Sequence, residues 1–182
     1  MEQIADLCKE ATVIMNEAIF NRRSIRKYRR EIPVTEKQMQ MLIEAAMLAP
    51  STWNSRPWEF IVITKREVLD EIVNIHPYAK MCETAAAAII IVALPQKGTP
   101  AEGYYPQDCA VAAQNILLQA TSMDLGACWC GIYPREDRVT KFRKLFDIDE
   151  QKIPFCILAV GTPDESPDRR GFYDDTKVTY IS

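Results

Sequence analysis

The run AAAAIIIVAL at residues 85–94 is the longest uninterrupted apolar stretch in this sequence of 182 residues. Its ten residues are about half of the roughly 20 that a membrane helix needs, so we expect a core element and no membrane span. The Ile and Val side chains gather towards its end. This favours either a central strand or a helix that passes into a strand.

Helices and apolar strands alternate on both sides of this run. Upstream, the apolar spacing predicts helices at about 2–20 and 35–49, a strand at 60–64 and a helix at 65–76. Downstream, it predicts a loop at 95–106, a helix at 107–124, a strand at 127–132, a helix at 135–146, a strand at 155–160 and a polar tail. The pattern indicates an α+β or α/β protein and leaves the strand order open.

Local signals define several ends of these elements. Thr35 with Gln38 forms a capping-box pattern at the start of the second helix, and Leu125-Gly126 predicts a left-handed glycine after helix 107–124. That helix is apolar on most faces, so it must be covered on nearly every side, and a subunit interface could supply that cover. The tail from about 162 to 182 cannot form a core of its own. We expect it to lie across the domain or a partner.

The length predicts one domain over residues 1–182. Six cysteines contain no CxxC pair, and no secretory signal is present, which indicates reduced thiols in the cytoplasm. Cys128 and Cys130 alternate along a predicted strand at about 7 Å, too far apart for a disulfide. The single histidine, His76, precedes a proline, a pattern typical of a turn that ends a helix. We assign it no catalytic role and expect no metal site.

The segment RRSIRKYRR at residues 22–30 holds six basic side chains in nine positions. The rest of the chain carries 16 basic and 25 acidic residues, a net charge of −9. Arg22, Ser24 and Arg26 alternate, so in an extended chain they point the same way and suit a phosphate group. Two alternatives are a basic surface exposed to solvent and a nucleic-acid binding site. The negative charge of the rest of the chain argues against the second, because it would repel a phosphate backbone.

Three further segments carry polar groups next to predicted strands. The turn APSTWNSRPW, residues 49–58, places hydrogen-bonding side chains beside two tryptophans, as a heteroaromatic ring would require, unless it is an ordinary turn. In CWCGIYP, residues 128–134, glycine allows a backbone N–H to approach a ligand closely. Arg169 and Arg170 provide a second pair of hydrogen-bond donors of the kind that bind phosphate. Alternatively, their side chains are exposed to solvent. The glycine-rich loops of common nucleotide-binding motifs are absent from the sequence.

Taken in order, these segments resemble the nitroreductase family of flavin enzymes. The resemblance rests on Arg22-Arg23-Ser24-Ile25-Arg26-Lys27-Tyr28, on Pro50-Ser51-Thr52-Trp53-Asn54-Ser55-Arg56-Pro57-Trp58, on Leu125-Gly126 followed by Cys130-Gly131-Ile132, and on Gly161-Thr162-Pro163 before Arg169-Arg170. It covers nearly the whole chain.

The resemblance implies an α+β fold with a mostly antiparallel central sheet flanked by helices, in an intertwined homodimer with FMN at the interface. By this resemblance, the FMN phosphate is bound by Arg22, Arg23, Ser24, Arg169 and Arg170, and Arg26 lies near the pyrimidine edge of the flavin. From the other subunit, the flavin is contacted by Pro50, Ser51, Thr52 and Asn54. The backbone groups near flavin N5 belong to Cys130, Gly131 and Ile132.

By the same resemblance, NAD(P)H reduces FMN and an electron-poor small molecule such as a nitroaromatic or quinone reoxidises it, in a ping-pong cycle without a catalytic side chain. We regard the loop 95–106, with Tyr104 and Tyr105, as a candidate lid. Two alternatives stay open: other flavin chemistry on the same scaffold, such as dehalogenation, flavin fragmentation or substrate oxidation, and a non-enzymatic binder of a phosphorylated ligand.

Overall fold

The computed structural model describes residues 16–168, 171 and 173–181, and within them four strands form one antiparallel sheet. The helices are α1 (Glu17–Asn21), α2 (Glu36–Met47), α3 (Arg66–Ile75), α4 (Tyr105–Ser122) and α5 (Glu136–Phe146). The strands are β1 (Trp58–Ile63), β2 (Ala87–Ala93), β3 (Gly126–Gly131) and β4 (Ile153–Gly161), in the spatial order β1-β2-β4-β3. Short 3-10 turns occur at Thr52–Asn54, Lys80–Glu83 and Asp175–Lys177.

The two central strands are buried on both faces, which explains their continuous apolar sequence. Every residue of β2 is buried, and the central-strand interpretation of residues 85–94 is confirmed. Ile89 and Ile91 pack with α2 and α4 on one face, whereas Ile90 and Val92 pack with α3 and α5 on the other. The sheet is therefore the middle layer between two pairs of helices, as expected for an α+β protein.

Capping chemistry explains where α2 begins. The Thr35 hydroxyl accepts the Gln38 N–H at 3.2 Å, and the Gln38 side chain accepts the Thr35 N–H at 2.9 Å. The predicted capping box is thereby confirmed. The helix ends at Met47, two residues before the predicted end.

The prediction of a left-handed glycine after α4 is wrong. Asp124 takes the left-handed conformation, with φ 56°, and Gly126 is already the first residue of β3. A short polar side chain tolerates this region better than most non-glycine residues do. Gly126 has a different role, which is close packing against Ile25.

The end of the tail does not lie across its own sheet. Residues 178–181 belong to no strand in the structure, and Tyr180 and Ile181 are almost fully exposed. The helix predicted at 2–20 lies outside the described residues up to position 15, and its end is α1. None of the helices in the described ranges is long and apolar enough to cross a membrane.

Candidate functional site

The basic segment runs along the outer edge of β3. Ser24 forms a parallel bridge with Ala127, and the Ile25 N–H donates to the Ala127 carbonyl at 3.1 Å. Because alternate residues of a strand direct their backbone groups to the same side, Trp129 and Gly131 also face this outer edge. The edge therefore continues beyond the point where the basic segment covers it.

Two glycines let the basic segment approach the sheet. A Cβ atom on Gly126 would come within 2.7 Å of the Ile25 side chain, and one on Gly161 would come within 3.0 Å of the Tyr28 ring. The Tyr28 hydroxyl donates to the Ile25 and Ala159 carbonyls, at 2.6 and 3.2 Å. Burial raises the pKa of Tyr28 well above its usual range, so this hydroxyl stays protonated and remains a donor.

The far end of the β3 edge is held by two side chains. The Gly131 carbonyl oxygen lies 2.9 Å from His76 Nε2 and 2.7 Å from Arg138 Nη1. Between this contact and Ala127, the N–H groups of Trp129 and Gly131 have no acceptor among the residues that the structure describes. A short piece of strand edge with free donors thus remains, bounded on both sides.

A cavity of about 600 Å³ adjoins this piece of strand edge, within the range usual for small-molecule and cofactor sites. Its lining comprises Arg26, Lys27, Tyr78, Lys80, Met81, Glu83, Thr84, Cys128 and Trp129. Three cations face one carboxylate, and within the described ranges none of these cations is in ion-pair distance of an acidic side chain. The cavity thus combines flat apolar surface with more cationic than anionic side chains in its lining, and suits a planar anion.

Two of the predicted phosphate ligands act differently. The Arg23 guanidinium donates to the carbonyls of Phe20, Arg22 and Asp168 at 2.8–3.3 Å, so it ties α1 to the tail. Arg22 is half-buried, and no hydrogen bond joins its guanidinium to a described residue. Its positive charge nevertheless acts on Cys128, at the cavity wall. Arg22, rather than Arg23, is therefore available to a ligand.

The Cys128 thiol reports the charge of this region. Interaction with the neighbouring Cys130 thiol, together with the positive charges of Arg26 and Arg22, lowers the pKa of Cys128 below the ordinary value of a thiol. Both thiols are buried and unpaired, so the prediction of two thiols rather than a disulfide is confirmed. The five cysteines in the described ranges are all free, at positions 82, 109, 128, 130 and 156.

Glu165 is a site residue that the sequence did not indicate. Its carboxylate accepts the backbone N–H groups of Arg26 at 2.5 Å and of Lys27 at 3.2 Å. Consecutive N–H groups of this kind form an anion-binding concavity, and here the chain's own carboxylate fills it. The basic segment consequently offers a ligand its side chains and not these two backbone donors.

The predicted turn at Pro50, Ser51, Thr52 and Asn54 lies elsewhere. Asp108, in the first turn of α4, accepts from the Thr52 N–H and hydroxyl at 3.1 and 3.3 Å, which fixes this turn. The turn precedes β1, at the opposite edge of the sheet from β3. Three strand spacings of about 4.8 Å separate the two edges by roughly 14 Å. Within one protomer, this turn therefore does not reach the basic segment.

The three backbone groups predicted near flavin N5 differ in availability. The Ile132 N–H donates to the Phe155 carbonyl at 3.1 Å, and the same alternation turns Cys130 towards β4. The Gly131 N–H faces the open edge. Arg169 and Arg170 lie outside the described residues.

The candidate lid does not reach this cavity within the protomer. None of the residues 95–106 lines it, although the Tyr105 ring contacts the Tyr133 ring edge-on at 5.8 Å, just beyond β3. Over the described ranges, no group of three or more His, Cys, Asp or Glu side chains is arranged to hold a metal ion.

Sheet, helices and strand-edge cavity together define an α+β protein with a candidate site for a planar anionic ligand, and comparison with known proteins identifies the family. The model of the nitroreductase family matches residues 19–82 and 75–162. A Methanothermobacter thermautotrophicus protein, provisionally named NADH dehydrogenase/NAD(P)H nitroreductase, is 46% identical over 163 residues, 89% of this chain and 84% of that protein.

Two solved structures extend the comparison to the fold. A provisionally named NADH oxidase of Clostridium acetobutylicum superposes with a TM-score of 0.85 at 38% identity, covering 91% of this chain and 99% of that one. An FMN-dependent nitroreductase of Clostridium difficile gives 0.84 at 28% identity, covering 92% and 99%. The chain belongs to the nitroreductase family, and the family and fold class expected from the sequence are confirmed.

Proposed function

We propose that this protein is an FMN-dependent oxidoreductase that passes reducing equivalents from NAD(P)H to an electron-poor small molecule. The observation that carries the proposal is the open β3 edge beside a cavity with three unpaired cations. Names of relatives agree, since they describe NAD(P)H nitroreductases and an FMN-dependent nitroreductase. We also propose that residues 1–182 act as one FMN-binding domain.

The residues present fit FMN. The N–H and C=O groups of Trp129 and the N–H of Gly131 offer donors and an acceptor to the polar edge of a ring lying in the cavity. Arg22 and Ser24 would hold the phosphate, because the Arg22 guanidinium has no other described partner. When bound, FMN supplies hydride acceptance and donation.

This chain's own residues contribute binding, orientation and charge. Arg26 and Lys80 place positive charge along the cavity, which favours an electron-rich ring over a neutral one. We propose that the transfer itself uses no side chain of this chain as an acid or base. We propose that the nicotinamide donor and the acceptor occupy the same open face in turn, which predicts parallel lines in double-reciprocal plots.

A homodimer completes the proposed site. The turn at Pro50–Asn54 cannot reach the basic segment of its own protomer, but the same turn of a second copy could. Leu48 is 83% exposed, and with Ile19 and Leu118 it lines a shallow apolar groove between α1, α2 and α4. Burial of this groove and of the exposed tail against a second copy would remove apolar surface from water.

The dimer has its own test. The substitution Leu48→Lys is expected to yield monomers in analytical ultracentrifugation, whereas Glu71→Lys, on exposed α3 across the sheet, leaves the dimer intact. A wild-type protein that sediments as a monomer would remove the interface from the proposal. A cytoplasmic location, and the absence of nucleic-acid and membrane partners, stay predictions from composition.

The cofactor is tested first by an absorbance spectrum of the purified protein, followed by anaerobic addition of NADH or NADPH. Bands of bound oxidised flavin that bleach with either nucleotide would support the proposal. A protein that stays colourless after incubation with FMN would overturn it and favour a binder of another phosphorylated ligand.

The role of Arg22 is tested by comparing FMN with riboflavin, which lacks the phosphate. Arg22→Gln should weaken FMN binding about tenfold or more, as expected for a lost charge-assisted hydrogen bond, with little change for riboflavin. Arg30→Gln is the matched control, because Arg30 belongs to the same basic segment but is exposed and, unlike Arg22, is not among the charges that act on Cys128 at the cavity wall. Equal effects of the two substitutions would assign the phosphate elsewhere.

A further inference from the structure

His76 joins the two walls of the cavity. One wall is the segment 78–84, and the other is the β3 edge. The Tyr78 N–H donates to His76 Nδ1 at 3.1 Å, and His76 Nε2 lies 2.9 Å from the Gly131 oxygen. A backbone N–H can only donate and a carbonyl can only accept, so the ring is neutral with its proton on Nε2.

We propose that His76 is a positioning residue that clamps these two walls at the separation required by the flavin ring. The inference rests on the proposed function, since it concerns the affinity of the same cavity. The ring is 1% exposed and does not line the cavity, so His76 acts through Tyr78 and Gly131.

Arg138 reinforces the clamp from α5. Its Nη1 donates to the same Gly131 oxygen at 2.7 Å, and its guanidinium carbon lies 5.3 Å from the centroid of the Tyr78 ring. Phe142 packs edge-on against the His76 ring at 6.1 Å. Two donors on one carbonyl oxygen fix the peptide plane at Gly131 and so keep its N–H on the open edge.

Protonation of His76 would open the clamp on the Tyr78 side, because Nδ1–H cannot accept the Tyr78 N–H. Burial, and to a smaller extent the charge of Arg138, lowers the pKa of His76, while the bond to Gly131 and the charge of Asp137 oppose this. On the facing strand, the Cys130 thiol lies 3.4 Å from the Tyr78 carbonyl, and the same strand carries the Cys128 thiol at the cavity wall. The clamp is therefore closed at neutral pH and weakens as the pH falls.

The first experiment compares His76→Leu with His76→Gln. Leucine supplies no hydrogen bond, whereas the glutamine amide can still donate to Gly131. We expect His76→Leu to weaken both FMN and riboflavin by about tenfold, the equivalent of one net hydrogen bond, and to shift the absorbance bands of bound flavin. His76→Gln should recover most of the affinity.

The outcomes separate the two proposals. A wild-type protein that binds no flavin would refute the proposed function. A wild-type protein that binds flavin, with His76→Leu unchanged in affinity and spectrum, would refute the clamp alone. If His76→Leu weakened the binding of FMN but not of riboflavin, the effect of His76 would be on the phosphate. That result would also refute the clamp.

A measurement on the wild-type protein keeps the proposal testable if the variants do not fold. His76 is the single histidine of the sequence, so ¹⁵N-histidine labelling gives one pair of ring signals. At neutral pH we expect the shifts of a neutral ring protonated on Nε2. A ring protonated on Nδ1, or on both nitrogens, would overturn the proposal without any flavin present.

Discussion

Replacing Gly126 by alanine should destabilise the protein by crowding the basic segment. The new Cβ would lie 2.7–2.8 Å from three carbon atoms of Ile25, whereas carbon atoms pack best at about 3.5–4.0 Å. These contacts involve the Ile25 Cβ itself, which cannot rotate away. Relief therefore requires a shift of the segment 24–28 relative to β3.

The expected cost follows from two opposing terms. Overpacking of a buried site costs roughly 1–3 kcal/mol, and the lower entropy of the unfolded chain with alanine returns about 0.4–1 kcal/mol. The net loss of unfolding free energy is therefore about 1–2 kcal/mol, or roughly 2–8 °C in Tm for a chain of this size.

Gly131→Ala is the matched control on the same strand. Its Cβ would meet nothing closer than 3.8 Å, so alanine fits without movement. Urea unfolding followed by circular dichroism, at one protein concentration, should show a lower midpoint for Gly126→Ala and an equal or higher midpoint for Gly131→Ala. Equal midpoints for Gly126→Ala and wild type would refute the packing argument.

Four further predictions concern single groups. Thr35→Ala should lower the unfolding free energy by about 1 kcal/mol through loss of the helix cap, with Thr35→Ser close to wild type in urea unfolding. Asp108→Ala should cost roughly 1–3 kcal/mol, because two donors of Thr52 lose their acceptor, and Asp108→Asn should cost less; equal losses would contradict this. Because its surroundings lower the pKa of Cys128, alkylation of this thiol by iodoacetamide, followed by mass spectrometry, should begin at a lower pH than alkylation of an ordinary cysteine, and Arg26→Gln should move its pH dependence upward. Burial lowers the pKa of His76 below its ordinary 6.5, so below that pH the unfolded chain binds more protons than the folded one. The unfolding free energy should therefore fall as the pH drops below 6.5 and level off below the lowered pKa. If the unfolding free energies of wild type and His76→Gln changed equally with pH, this reasoning would be contradicted.

Much of the candidate site was predictable because its residues lie close together in the sequence. The alternation of Arg22, Ser24 and Arg26 indicated an extended anion-binding segment, and the structure places Ser24 against β3 and Arg22 and Arg26 near the cavity. The same reasoning could not assign separate roles to Arg22 and Arg23. Only the positions of the Phe20 and Asp168 carbonyls show that Arg23 is already engaged.

The residues that the sequence did not indicate act across long separations. Glu165 meets Arg26 across 139 positions, and His76 meets Gly131 across 55. No local pattern encodes such pairs, because both partners look like ordinary surface or turn residues. His76 in particular reads as a helix-ending residue, which it also is.

Local patterns in the sequence were enough to predict helices α2 to α5, the central strand, the capping box of α2 and the order of the motifs that identify the nitroreductase family. Capping and periodicity depend on residues within about four positions of one another, so they can be read locally. The strand order β1-β2-β4-β3, and the backbone groups of β3 that remain open, became visible only in the folded chain. Strand pairing joins distant segments, and its register alone sets whether the N–H of Gly131 faces β4 or the cavity edge.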